Sequence, residues 1–110
     1  MTDRDRLYLQ HILDAIDRIG RFTGDGRDAF MADEKTQSAV MRQLEIIGDA
    51  SKRLSDPLKQ SAAELPWREM AATRDRLIHG YFTVRLDIVW NVVEQDLAPL
   101  RDRIAGLLKP

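Results

Sequence analysis

Apolar residues recur at steps of three and four along almost the whole chain, and that rhythm fits helices far better than strands. Tyr8, Ile12, Ala15, Ile16 and Ile19 form the first stripe. They predict a helix from Asp3 to Phe22, with Asp3 as its N-cap and Thr23-Gly24-Asp25-Gly26 as its stop. Residues 28–33 suggest a short helical turn, and Val40, Leu44, Ile47 and Leu54 mark a long helix from Asp33 to Leu54. Asp56 and Pro57 suit the N-cap and first position of a short helix reaching Glu64. Pro66 opens another, which carries Trp67, Met70, Ala71, Leu77 and Ile78 and ends near Gly80. Val89, Val93, Leu97, Leu100, Ile104 and Leu107 define a last helix from Arg85 to Leu108, kinked near Gln95 by Pro99. The expected fold is all-α, an antiparallel bundle of four to five helices forming a single domain over 1–110.

Composition narrows the setting. With 110 residues, 44% apolar and 32% charged, the chain has the make-up of one globular domain. A net charge of -1 means that any contact with nucleic acid must rest on a local patch. The absence of cysteine excludes disulfides, thiolate metal sites and cysteine nucleophiles. Asp3, Arg4, Asp5, Arg6, Asp14 and Asp17 break up the first twenty positions as no signal peptide does. No uncharged run approaches the roughly 18 residues of a membrane span. A cytoplasmic location, with no membrane contact, is expected.

Pattern and chemistry disagree in one helix. The stripe of the Pro66–Gly80 segment reads Trp67, Met70/Ala71, position 74, Leu77/Ile78, Tyr81, and position 74 is an arginine. An unpaired buried guanidinium is costly, so Arg74 must be paired, snorkel, or face a cleft. Glu45, Asp49 and Asp75 are its candidate partners. His79 follows five residues later, which places the two positions about 140° apart around a straight helix. Unwinding at Gly80 could bring the imidazole back, or a two-fold axis could bring the pair close to its copy. Arg74 offers a planar fork of donors suited to a phosphate. An imidazole titrates near neutrality and can take a proton from a ribose 2′-hydroxyl or return one to a leaving oxygen. Together they suffice for RNA cleavage without metal or cofactor. Tyr81 adds a phenol able to stack on a base, bond a phosphate or be modified. The only other histidine, His11, belongs to the first helix, beside its apolar stripe.

At these residues the chain resembles the HEPN superfamily, and within it the HepT-like toxins. The signature Arg-x4-His-x-Tyr reads here Arg74-Asp75-Arg76-Leu77-Ile78-His79-Gly80-Tyr81. Further similarity lies in Gln43-Leu44-Glu45-Ile46-Ile47-Gly48-Asp49-Ala50, Leu65-Pro66-Trp67-Arg68-Glu69-Met70 and Asp87-Ile88-Val89-Trp90. The resemblance implies a homodimer with the Arg74/His79 pairs at a shared cleft, cutting RNA without metal as the toxin of a toxin–antitoxin pair. It also implies a minimal nucleotidyltransferase antitoxin that transfers AMP to Tyr81. Asp75 stands where the family often has asparagine. It could orient Arg74 or His79, yet it adds negative charge beside an RNA phosphate. A non-catalytic nucleotide-binding or partner-docking module is the alternative reading.

The remaining residues carry plainer expectations. Trp67 and Trp90 suit a core or dimer interface better than a nucleobase platform. Arg68, Arg76 and Arg85 are candidates for phosphate contacts. Glu45 and Asp49 either support Arg74 or form surface ion pairs. Gly48 costs about 1 kcal/mol relative to alanine inside a helix, which points to a close approach by another helix.

Overall fold

The first helix, α1 (Asp3–Phe22), has the predicted span but is capped by Thr2 instead of Asp3. The Thr2 hydroxyl accepts the Asp5 N–H at 3.0 Å, and the Asp5 carboxylate accepts the Thr2 N–H in return. Asp5 also accepts the Ser55 N–H and hydroxyl at 2.9 and 2.7 Å, tying the start of α1 to a loop fifty residues away. Burial alone pushes the Asp5 carboxyl up, but the bonds from Ser55 and Thr2 hold it below its ordinary value.

The computed structural model describes residues 1–79 and 85–110, Ile78 and His79 by their backbone, and every regular element among them is helical. After α1 come α2 (Arg27–Ala32), α3 (Glu34–Arg53), α4 (Asp56–Ser61) and α5 (Trp67–His79). The chain continues through α6 (Leu86–Asn91), a π-helical turn (Val92–Asp96) and α7 (Leu97–Leu108). Helix α3 is central, packed on α1 along one side and α5 along the other, while α7 closes on α1. Leu9, Ile12 and Ile19 of α1, Val40 of α3 and Ile104 of α7 are fully buried between them.

Three expectations need correction. The cap of α4 is Ser55, not Asp56, because the Ser55 side chain accepts the Leu58 N–H. That helix stops at Ser61 instead of Glu64, since the Ala62 carbonyl is taken by the Leu65 N–H and the Trp67 indole. The single kinked helix from Arg85 to Leu108 is three segments. Pro99 has no N–H to offer and its ring crowds the Gln95 carbonyl, so the turn containing Gln95 widens into π geometry, with Leu97 N–H bonded to Val92 O. With these subdivisions the described residues hold seven α-helical segments, more than the four to five expected. Both tryptophans are core: Trp67 donates to Ala62 O, and Trp90 packs on Phe30 and donates to Glu94.

Candidate functional site

Trp67, Met70 and Leu77 lie buried along the inner face of α5, and Arg74 occupies the same stripe. What lets an arginine sit there is Gly48 of α3. A Cβ on Gly48 would overlap the Arg74 Cβ and stand 2.6 Å from the Met70 carbonyl, so the two backbones meet in near contact. The close approach expected of Gly48 is therefore made within the protomer, against the arginine itself. The Arg74 side chain remains 31% exposed, neither sealed in the core nor free in solvent.

The guanidinium lines a cavity of about 440 Å³, with Tyr8 and His11 of α1 on one wall and Arg42, Glu45, Asp49 and Arg53 of α3 on another. Residues 42, 45, 49 and 53 step by three, four and four, a charged stripe with the period of the helix itself. Glu45 pairs with Arg42 at 3.2 Å, and Asp49 with Arg53 at 3.3 Å. Asp49 lies 4.0 Å from the Arg74 guanidinium, an ion pair too long for a hydrogen bond. Tyr8 stands edge-on to His11 and beneath the guanidinium groups of Arg4 and Arg53. Tyr8 first and then Asp49 raise the Arg53 pKa above its ordinary value.

Asp75 accepts from Lys52 at 2.6 Å and from Arg74 at 3.2 Å. Those two bonds, Lys52 first, hold its carboxyl below the ordinary range. The Asp75 carboxylate is thus compensated by two cations and bonds one nitrogen of Arg74.

The other predicted site residues are more scattered. Arg76 is exposed, two residues and therefore about 160° around α5 from Arg74. Arg68 borders a different depression, with Lys59 and Trp67, and Arg85 is paired with Asp87 at 2.8 Å. The backbone of α5 stays helical through His79, so no unwinding before that residue brings positions 74 and 79 together. Gly80, the expected helix end, and Tyr81, the expected modification point, lie outside the described residues, as does the His79 side chain. Sequence reading missed Tyr8, His11, Arg42 and Arg53 as neighbours of Arg74. The available signals were the shared face of Tyr8 and His11, three apart, and the two acids flanked by arginines in the 42/45/49/53 stripe. Among the described residues no three His, Asp or Glu side chains gather as metal ligands, and no helix is long and apolar enough to cross a membrane.

The chain matches the family model described as ribonuclease HepT-like over residues 12–106. It is 45% identical over 103 residues to "Probable ribonuclease HepT" of Thermococcus cleftensis, covering 93% of this chain and 94% of that one. A protein of Methanocaldococcus jannaschii named "Putative RNase" is 43% identical over 89 residues, 80% of this chain and 74% of its own. One of the same designation from Caldanaerobacter subterraneus subsp. tengcongensis is 35% identical over 105 residues, 94% of each chain. No solved structure matches significantly.

Proposed function

The chain belongs to the ribonuclease HepT-like family, and from that premise we propose that it is a metal-independent endoribonuclease and the toxin of a toxin–antitoxin pair. The observation that carries this reading is Arg74. It takes a core position on α5, is admitted there by Gly48, and turns its guanidinium to a polar cavity. One nitrogen is held by Asp75, leaving donors of the fork for a phosphate.

In the proposed reaction the His79 imidazole takes the proton of a ribose 2′-hydroxyl. The 2′-oxygen then attacks the adjacent phosphorus and the bond to the 5′-oxygen breaks. The imidazolium returns a proton to that leaving oxygen, and the strand ends in a 2′,3′-cyclic phosphate. Arg74 stabilises the charge that grows on the phosphoryl oxygens. Positions 74 and 79 lie about 140° apart on a helix that is regular through His79, so we place the cleft between two copies related by a two-fold axis. In that assembly Arg74 of one copy and His79 of the other act on the same strand.

Control is assigned to Tyr81. Its phenol oxygen attacks the α-phosphate of ATP on a minimal nucleotidyltransferase antitoxin, pyrophosphate leaves, and the AMP bound to Tyr81 blocks the cleft. The resemblance of Arg74-x4-His79-x-Tyr81 to the toxin signature supports this step. The cleavage assay uses RNA in EDTA with wild type, Arg74→Ala and His79→Ala. Wild type is expected to cut and both variants to lose at least 100-fold. Intact RNA with wild type, or equal cutting by the variants, overturns the assignment. For the modification, intact mass should rise by AMP units with antitoxin and ATP, and stay constant in Tyr81→Phe.

A further inference from the structure

We infer that the cavity between α1 and α3 is a subsite for one nucleotide of the RNA strand, flanking the bond that is cut. The inference rests on the ribonuclease reading above and adds to it where the neighbouring part of the strand is held. The chain's net charge of -1 gives no general attraction for RNA, so the attraction must be local. Arg68, Arg76 and Arg85 do not line the cavity that Arg74 faces, whereas Arg42 and Arg53 do. Three arginines against two carboxylates leave the cavity wall net positive, and His11 adds a ring nitrogen able to donate.

The arginines are also held in place. Glu45 tethers Arg42, Asp49 tethers Arg53, and the Tyr8 ring lies beneath the Arg53 guanidinium at 5.8 Å. A guanidinium ordered in this way loses less entropy when it binds an anion than a freely moving one. The side chains of Arg42 and Arg53 stay 65% and 49% exposed, so their donors are accessible to a ligand. The volume of about 440 Å³ falls within the range of small-ligand sites. A backbone phosphate on Arg42 and Arg53 would lie in the same cavity that Arg74 lines. The geometry thus explains how a chain with no overall positive charge grips a polyanion.

The test measures binding of a cleavage-resistant 2′-O-methyl oligoribonucleotide by fluorescence anisotropy across a salt series, alongside cleavage kinetics on the matching RNA. The Arg42→Gln/Arg53→Gln variant should bind at least tenfold more weakly at low salt. Its salt slope should be shallower by about 0.7, the value for the one phosphate of a single strand that is no longer neutralised. KM should rise in parallel, with kcat within about twofold of wild type. Lys59→Gln/Arg103→Gln removes as much charge elsewhere on the surface and should match wild type in every respect. An unchanged affinity and slope in Arg42→Gln/Arg53→Gln, or a fall in kcat at constant KM, overturns the subsite while leaving the ribonuclease reading intact. Wild type that binds with the predicted slope difference but never cuts overturns the ribonuclease reading and retains the subsite. Titration with AMP separates the remaining occupant: loss of AMP binding in the variant with oligonucleotide binding intact overturns the proposal.

Discussion

Along α3, Val40, Leu44 and Ile47 face the core, while Arg42, Glu45, Asp49 and Arg53 run beside them at the same helical spacing. Each stripe borders a cavity. The apolar one, about 450 Å³, lies among Leu44, Ile47, Met70, Leu97 and Pro99, and the polar one, about 440 Å³, holds Arg74. Volume therefore does not distinguish the two. The apolar groove offers few groups that could orient a charged ligand, whereas the polar cavity gathers cations, a phenol and an imidazole. One stripe holds the molecule together and the other holds its chemistry, and Gly48 lies between them against Arg74.

If that division is right, damage to the apolar stripe lowers stability and spares cleavage per folded molecule. Leu44→Ala should cost about 2–5 kcal/mol in urea unfolding, as buried leucine truncations do, with kcat unchanged. Loss of cleavage at full stability would break the comparison. Gly48→Ala lies on the border and should affect both properties. The added methyl has no room against the Met70 carbonyl, so α3 and α5 must separate at Arg74. The expected cost is about 1–3 kcal/mol, and cleavage should fall more than tenfold at temperatures where the variant is folded.

A smaller effect is expected at Asp5, which lines neither cavity. Its folded pKa is below the ordinary 3.8, so its contribution is complete at neutral pH and is lost as pH falls through the lowered value. Asp5→Asn should cost about 1 kcal/mol at pH 7, in the range of a lost helix cap, with cleavage intact. The variant should also lose part of the acid dependence of Tm below pH 4, measured by circular dichroism. An unaltered acid profile contradicts the role given to the Thr2–Asp5–Ser55 cluster.

Much of this was legible in the sequence because helix periodicity is a local property. The spans of α1 and α3, the misplaced arginine and the unexplained glycine all follow from spacing alone. The caps slipped by one residue because Asp3 and Asp56 are as good locally as Thr2 and Ser55. The Asp5–Ser55 contact is long-range and visible only in the fold. The π turn was hidden because the apolar stripe from Val89 to Ile104 keeps its period across it. Spacing put Tyr8 and His11 on one face, but their meeting with Arg74 depends on how α1 lies against α3.

The central claim is that Arg74 occupies a core position for chemistry and not for stability. Arg74→Met tests it most directly, because methionine keeps the stem and suits the stripe of Trp67, Met70 and Leu77. The predicted result is an unchanged or higher Tm together with at least a 100-fold loss of RNA cleavage in EDTA. A stable variant that cuts RNA at the wild-type rate contradicts the claim, and so does a variant that loses stability but cleaves normally when folded.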